Sequence, residues 1–331
     1  MQSIKLVAES QDYQRGGTQK SEYAEDEVIE VACPLCASEE RRCIYTEHGA
    51  IGISECLKCG LIYTCPRFRA PEQIYWGDAD NYYEEARLIF EGKATHHRDH
   101  NYLSEIKAIE RFKKGGKFLD VGCNMGMLLR LARQRGWDVV GVEPSPSLSS
   151  LAKKHGFPVH NCFLNELPEE LKGSFDVVAF SDVFEHITEP QEFLKDAVRY
   201  LKPDGVLYVK VPNVKWSLFK QKVLGMMGKR PDTGLWDSYE HVVHYSDKTL
   251  KEMLAKCGFK TLRISLDPPV QTPNWHEHVG QYYQYPTPWM MDWKRKLVRQ
   301  MSYRLSMIER LFRFGSVGYL APNIVAIAQK Q

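Results

Sequence analysis

From Lys117 onward, short apolar runs alternate with stretches whose apolar positions recur every three or four residues. KFLDVG, WDVVGVEP, FPVH, FDVVAFS, GVLYVKVP and FKTLRISL read as strands. MLLRLARQRG, PSLSSLAKKHG, PQEFLKDAVRYL and DKTLKEMLAKCG read as helices, the first two closed by Gly136 and Gly156. Apolar strand cores between helices predict an α/β fold with a largely parallel sheet covered on both faces. NIVAIAQ, near the end, reads as a last strand. The connection before it, Asp267 to Pro322, is long enough to expect a function of its own. Its first half is rich in Pro and Trp, and its second half, WMMDWKRKLVRQMSYRLSMIERLFRFG, is a basic amphipathic helix.

Upstream the pattern changes. Residues 1–28 read as a disordered tail. Residues 29–68 hold paired cysteines and turn signals, and 69–114 read as a helical connector rich in aromatics. The regular α/β region is then 115–331, with an insertion at 268–322.

Composition adds bounds. The chain has 331 residues, 43% hydrophobic and 26% charged, ordinary for a globular protein with room for a large domain and a small one. A net charge of +2 gives no global argument for nucleic acid. No run approaches the roughly eighteen apolar residues of a membrane span. The polar, acidic start is unlike a signal peptide, so a reducing cytoplasm is expected. Nine cysteines, an odd number, do not space as a disulfide scaffold.

The stretch FLDVGCNMG joins a strand to a helix through a glycine turn. It lacks the G-x-G-x-x-G of a dinucleotide site and any phosphate-binding Lys-Ser/Thr. The next strand ends in Glu143-Pro144, an acid placed to accept hydrogen bonds from both hydroxyls of a ribose. A site that wants a ribose but is not built for a pyrophosphate suits S-adenosylmethionine. Asp120-x-Gly122-x-Asn124-x-Gly126, then Glu143, then FDVVAFSDVFEHI resemble the motifs of class I S-adenosylmethionine-dependent methyltransferases over roughly residues 110–331.

The resemblance implies a Rossmann-like, seven-stranded, mostly parallel sheet whose last strand is antiparallel. It implies that Asp120 and the backbone at Gly122, Cys123, Asn124 and Gly126 hold the methionine end of the cofactor. Glu143 with Pro144 would hold the ribose, and Ser181, Asp182 and Phe184 would line the other side. Two departures stand out. Asn124 occupies a place where glycine is commoner, and HNCFLNELP lacks the acid that often meets the adenine amine, leaving Cys162 and Phe163 as candidates.

The cysteines of CPLC and CLKCG make C-x2-C-x19-C-x2-C. Cys33, Cys36, Cys56 and Cys59 can close a tetrahedral structural zinc site, and the metal would supply the folding energy such a small module lacks. Cys43, Cys65, Cys123, Cys162 and Cys257 read as buried thiols. An N-terminal CPLC…CLKCGLIY…PR joined to this core is similar to zinc-ribbon-bearing methyltransferases that include sugar C-methyltransferases. In that group the small domain helps close the substrate site.

Methyl transfer to carbon or oxygen needs an acceptor in line and a base. YEHVVHYSDKTL supplies Glu240, His241 and His244 beyond the fifth strand, where ligands of open α/β sheets bind. Resemblance to the sugar enzymes implies Glu240 and His241 as the base pair and Tyr82 or Tyr83 as a helper. His186, in FEHI with Glu185, is a further candidate.

The expectation is therefore a cytoplasmic, zinc-stabilised, S-adenosylmethionine-dependent methyltransferase acting on a small-molecule acceptor. That acceptor would be a sugar, nucleotide sugar or other cell-envelope or natural-product precursor, methylated on carbon or oxygen. The alternatives are an RNA methyltransferase, disfavoured by an acidic zinc module, and a non-catalytic zinc-bearing binding protein. No nucleic acid partner is expected. Residues 287–314 are expected to form a helix that caps the site or joins two copies, meets a membrane surface or lipid-linked substrate, or offers a basic patch to an anionic substrate such as a nucleotide sugar. A monomer or homodimer fits equally.

Overall fold

The computed structural model describes residues 23–69, 80–93, 95–96, 98–230, 234–267, 278–279, 289–312 and 316–331. The N-terminal part contains β1 (Val28–Ile29), β2 (Arg41–Glu47), β3 (Ile51–Cys56), β4 (Ile62–Thr64) and β5 (Arg67–Phe68). Helix α1 (Asp80–Phe90), β6 (Thr95–His96) and α2 (Asp99–Ile109) lead to the large sheet. There follow β7 (Lys117–Val121), α3 (Met127–Gln134), β8 (Asp138–Val142), α4 (Pro146–Lys154) and β9 (Val159–His160). Then come β10 (Phe175–Ser181), α5 (Pro190–Tyr200), β11 (Leu201–Pro212), α6 (Val214–Met226) and β12 (Val243–His244). The chain ends with α7 (Asp247–Lys256), β13 (Phe259–Leu266), β14 (His278–Val279), α8 (Trp289–Phe312) and β15 (Asn323–Lys330).

The large sheet has seven strands in the order β13-β15-β11-β10-β7-β8-β9. Strands β11, β10, β7, β8 and β9 run parallel, while β15 lies antiparallel between β11 and β13. This is the arrangement that the alternating pattern and the resemblance imply. β10 is buried along six of its seven residues, as a central strand covered on both faces must be. Phe118, Val177, Tyr208 and Ile327 pack on one face with α2 and α3. Phe180, Phe184, Leu207 and Tyr245 pack on the other with α5 and α7.

The N-terminal part does not stand apart. Leu35, Leu61, Tyr63 and Cys65 belong to the same buried cluster as Phe184 and Tyr245. Its sheet, β2-β3-β4, takes a fourth strand, β12, from the loop beyond β11. The long-range pairing of residues 243–244 with 62–63 leaves no local mark in the sequence.

Three expectations need correction. Order begins before residue 28: Tyr23 is buried and stacks on Tyr239 at 5.6 Å, while the rest of the expected tail, 1–22, lies outside the described residues. Cys43 is exposed and Cys162 only half-buried, so neither is a buried thiol. Helix α6, unmarked by a clear polar face, was not expected. α8 forms as the pattern predicts and is anchored by its C-terminal turns. Arg310 donates to the Ile264 carbonyl at 2.6 Å, and Glu309 accepts the amide of Tyr319 at 2.8 Å.

Candidate functional site

The glycine turn sits at the C-terminal end of β7, against the tips of β8 and β10. Gly122 and Gly126 have φ of +72° and +88°, and a Cβ on Gly122 would stand 2.8 Å from a Val183 methyl. Between them Asn124 also adopts the left-handed region, φ +51°. Its side-chain oxygen accepts the Met125 amide at 2.6 Å, so asparagine serves where glycine is commoner by capping its own turn.

Glu143, at the tip of β8, is buried and accepts the amides of Asn124 at 2.8 Å and Ser145 at 3.0 Å. Burial pushes its carboxyl up, and the two amides pull it back. Each oxygen keeps acceptor capacity, which suits a diol. Asp120 is buried beneath the turn and makes no side-chain hydrogen bond to a described residue. Burial, with Glu105 and Glu143 nearby, raises it well above the usual carboxylate range. A partnerless acceptor in an acidic neighbourhood suits a cationic amino group, so the residues present fit S-adenosylmethionine.

The remaining cofactor candidates divide. Phe163 is 40% exposed just past β9, available as an aromatic face. Pro144 is half-buried, and its carbonyl takes a hydrogen bond from Asn161 at 2.9 Å. Cys123 turns away: its thiol packs into the core against Gly141, so only its backbone can meet a ligand. Phe184 is likewise core, stacked on Tyr245 at 5.0 Å, and does not line a cleft.

Ser181 and Asp182 are held by a buried charge network that sequence reasoning missed. Ser181 donates to Glu105 at 2.8 Å, and Asp182 pairs with Arg98 and, at 3.2 Å, with Lys210. Lys210 also meets Glu105 at 3.0 Å and Asp267 at 3.3 Å. Burial works to raise Asp182, but Arg98 and Lys210 overcome it and hold the carboxyl well below its ordinary value. The only sequence signal was a lysine inside the apolar run GVLYVKVP.

The acceptor candidates gather beside this turn. Val183, which abuts Gly122, is two residues ahead of Glu185. The ring of His186 meets the ring of His241 edge-on, centroids 4.8 Å apart. Nδ1 of His186 lies 2.9 Å from the carbonyl of Glu240. A carbonyl only accepts, so Nδ1 carries the proton and Nε2 is the basic nitrogen. One ligand atom from each of Glu185, His186 and His241 lies within 4.8 Å of the others, a spacing that also admits a cation. Glu185 is buried, and its Oε2 has no hydrogen-bond partner among the described residues. Burial, then Asp182, pushes this carboxyl far up, toward the neutral form. Glu185 and His241 line a cavity of about 220 Å³ with Trp216, Lys220, Trp236 and Asp237.

Two expectations change here. His244 lines the same cavity but is a weak base: it is buried, near Trp236, its ring 3.2 Å from the Thr64 hydroxyl, and burial lowers it to about 3. Glu240 reaches His186 through its backbone carbonyl. Tyr83 is exposed on α1, whose Ala86 and Ile89 pack on Met125 and Met127 beside the glycine turn. No described contact joins Tyr83 to the histidines. The side chain of Tyr82 lies outside the described residues.

The four cysteines converge. Sulfurs of Cys33 and Cys59, and of Cys36 and Cys56, are 3.5 Å apart, and all four lie within 4.8 Å of one another. Four sulfurs at 2.3 Å from a zinc stand about 3.8 Å apart, so the set fits that metal. CPLCA and CLKCG make the same turn. Ala37 and Gly60, both at positive φ, return their amides to the carbonyls of Cys33 at 2.8 Å and Cys56 at 2.9 Å.

A family model described as a methyltransferase domain matches residues 94–264. Among curated proteins, the ubiquinone biosynthesis O-methyltransferase of Rhodopseudomonas palustris (strain TIE-1) is 30% identical over 134 residues, 38% of this chain and 53% of that one. The human mitochondrial protein of the same name is 28% identical over 206 residues, 57% of this chain and 54% of that one. The chain thus spans about half the length of the curated relatives it matches. A crystal structure of a S-adenosylmethionine-dependent methyltransferase from Archaeoglobus fulgidus is 19% identical with a TM-score of 0.45, covering 74% of this chain and 99% of that one.

Proposed function

This chain belongs to the methyltransferase-domain family, and on that premise we propose that it transfers a methyl group from S-adenosylmethionine to a hydroxyl of a small organic acceptor. The carrying observation is the cavity lined by Glu185 and His241, with His186 packed on His241 behind it; Glu185 is two residues along the chain from the side chain that abuts the glycine turn. The names of the relatives support oxygen as the acceptor atom.

When bound, the cofactor supplies an electrophilic methyl on a sulfonium. Asp120 and the turn amides orient its amino-acid end, and Glu143 its ribose. Trp216 and Trp236 wall the acceptor and exclude water, with Lys220 at its edge. Nε2 of His186, or the ring of His241, takes the acceptor's proton as its oxygen attacks. Glu185, held near neutrality by burial, can donate a hydrogen bond to a neighbouring ring or to the acceptor. The four cysteines hold a structural zinc ion.

A second reading, a sugar or nucleotide-sugar acceptor methylated on carbon or oxygen, is favoured by the four-cysteine module beside Glu240-His241. Incubation with labelled cofactor and a panel of catechols, phenols and nucleotide sugars decides between them. The first reading expects S-adenosylhomocysteine only with the aromatic hydroxyls, and none in a Glu143→Ala variant. Turnover confined to sugars would replace it with the second.

A further inference from the structure

We infer that the C-terminal end of α6 is a docking surface for an anionic membrane. Helix α6 packs on the N-terminal sheet through Leu218, Gln221 and Leu224, and its C-terminal end is left exposed. Its far end exposes bulky apolar side chains, Met226 at 79%, Met227 at 61% and Val223 at 36%. Large apolar side chains grouped at an exposed helix end are costly in water and call for a partner.

Charge identifies the partner. From 213 to 231 the sequence NVKWSLFKQKVLGMMGKRP carries five bases and no acid. Lys215 is paired with Asp247, and Lys220 lines the acceptor cavity. Lys222, Lys229 and Arg230 remain beside the methionines, exposed, in no ion pair with a described acid. They rim a second cavity of about 250 Å³ floored by Tyr45, Leu218, Leu224 and Leu235. Apolar side chains that can enter the acyl boundary, ringed by bases that meet anionic headgroups, are the chemistry of a peripheral membrane contact.

The surface also has a sensible place. Trp216 and Lys220, on the same helix, line the cavity that holds His241. An amphiphilic acceptor in the docked membrane would lie within one helix length of the proposed chemistry. The docking itself stands whether or not that chemistry is methyl transfer. α8 also exposes Leu305, Ile308, Leu311 and Phe312. Near those side chains, however, Arg304 is the one exposed base among the described residues, since Arg310 is tied to a backbone carbonyl, and the acid Glu309 lies on the same stretch.

The test is co-sedimentation of the full chain with vesicles of phosphatidylcholine alone or with about one third phosphatidylglycerol, at low and high salt. Binding is expected to the anionic vesicles only, to fall with salt, and to weaken at least about tenfold in both Met226→Asp/Met227→Asp and Lys222→Glu/Lys229→Glu. S-adenosylhomocysteine affinity measured on the same variants should be unchanged, which shows that they fold and separates this inference from the cofactor site. Equal binding to neutral vesicles, or loss only in Leu311→Asp/Phe312→Asp on α8, would overturn it. So would displacement by inorganic phosphate at matched ionic strength, which would mark a simple anion site. Conversion of a dimer to a monomer by the methionine changes, without vesicle binding, would assign the tip to a second copy instead.

Discussion

The carboxylate of Glu47, at the end of β2, accepts the backbone amide of Trp236 at 2.8 Å, and its two oxygens also accept those of Leu235 at 2.9 Å and Ser238 at 3.1 Å. Glu47 is buried, so these bonds are not exchanged with water. One side chain of the cysteine-bearing sheet thus fixes the start of the loop that ends at His241. A few residues on, Thr64 of β4 donates its hydroxyl to the His241 carbonyl at 2.7 Å.

Glu47→Ala strands three buried amides, each costing about 1–3 kcal/mol when unsatisfied. The expected outcome is a large fall in the urea midpoint and, in the surviving folded fraction, a turnover loss of at least about tenfold (roughly 1.4 kcal/mol). S-adenosylhomocysteine affinity should stay within about twofold, since the glycine turn is built from other strands. A turnover equal to wild type would show that the loop holds itself.

Removing the metal should act through the same contact. Chelation, or Cys33→Ser, is expected to release one zinc per chain and lower the melting temperature by several degrees, the scale of about 1–3 kcal/mol lost. The loss should spread to the large domain, because Leu35 and Leu61 share its core and β12 pairs with β4. Calorimetry should therefore show one transition, moved down. Two transitions, with only the smaller one shifted, would mean that the modules fold independently.

The parts of this fold that are local in sequence were legible in it. The strand cores, the helix ends at Gly136 and Gly156, the turn from Asp120 to Gly126 and the two cysteine pairs each follow from periodicity or spacing over a few residues. What was not legible depends on long-range geometry. Lys210 gathers Glu105, Asp182 and Asp267 from three distant segments. Val243–His244 reads as part of a ligand-binding loop beyond the fifth strand and becomes the edge strand of a distant sheet. Cys123 and Phe184 lie within the right motifs, but the backbone direction turns their side chains into the core. Of the acceptor candidates, His186 and His241 meet only because β12 returns the loop to β4.

Asn124 and Glu143 offer a test of the cofactor turn. Asn124→Gly keeps the left-handed backbone and should leave cofactor affinity within about threefold, losing only the cap to the Met125 amide. Asn124→Val cannot adopt that conformation cheaply and should weaken affinity by about tenfold or more, through a strain of about 1–3 kcal/mol. Glu143→Ala removes both the anchor of the Asn124 amide and the acceptor for the ribose, and titration calorimetry should then detect no binding. If the valine variant bound as tightly as the glycine one, the turn's backbone would not be contacting the cofactor.

His244 gives the pH dependence. The Thr64 hydroxyl donates to the His241 carbonyl, so it accepts from the Nε2–H of His244. Burial lowers the imidazole to about 3, against an ordinary value of 6.5 in the unfolded chain. The folded state therefore refuses a proton that the unfolded state takes up. The sign follows: the stability present above pH 6.5 is lost as the pH falls from there toward about 3, at up to about 1.4 kcal/mol per unit. Other carboxyls titrate in the same range, so the measurement is a difference. Urea unfolding of wild type and His244→Asn at pH 7 and pH 5 should show wild type losing about 2 kcal/mol more on acidification, with the variant starting lower at pH 7 for want of ring packing against Trp236. Equal losses in the two proteins would mean that the ring is solvated and free to take the proton, which would return His244 to the candidate bases.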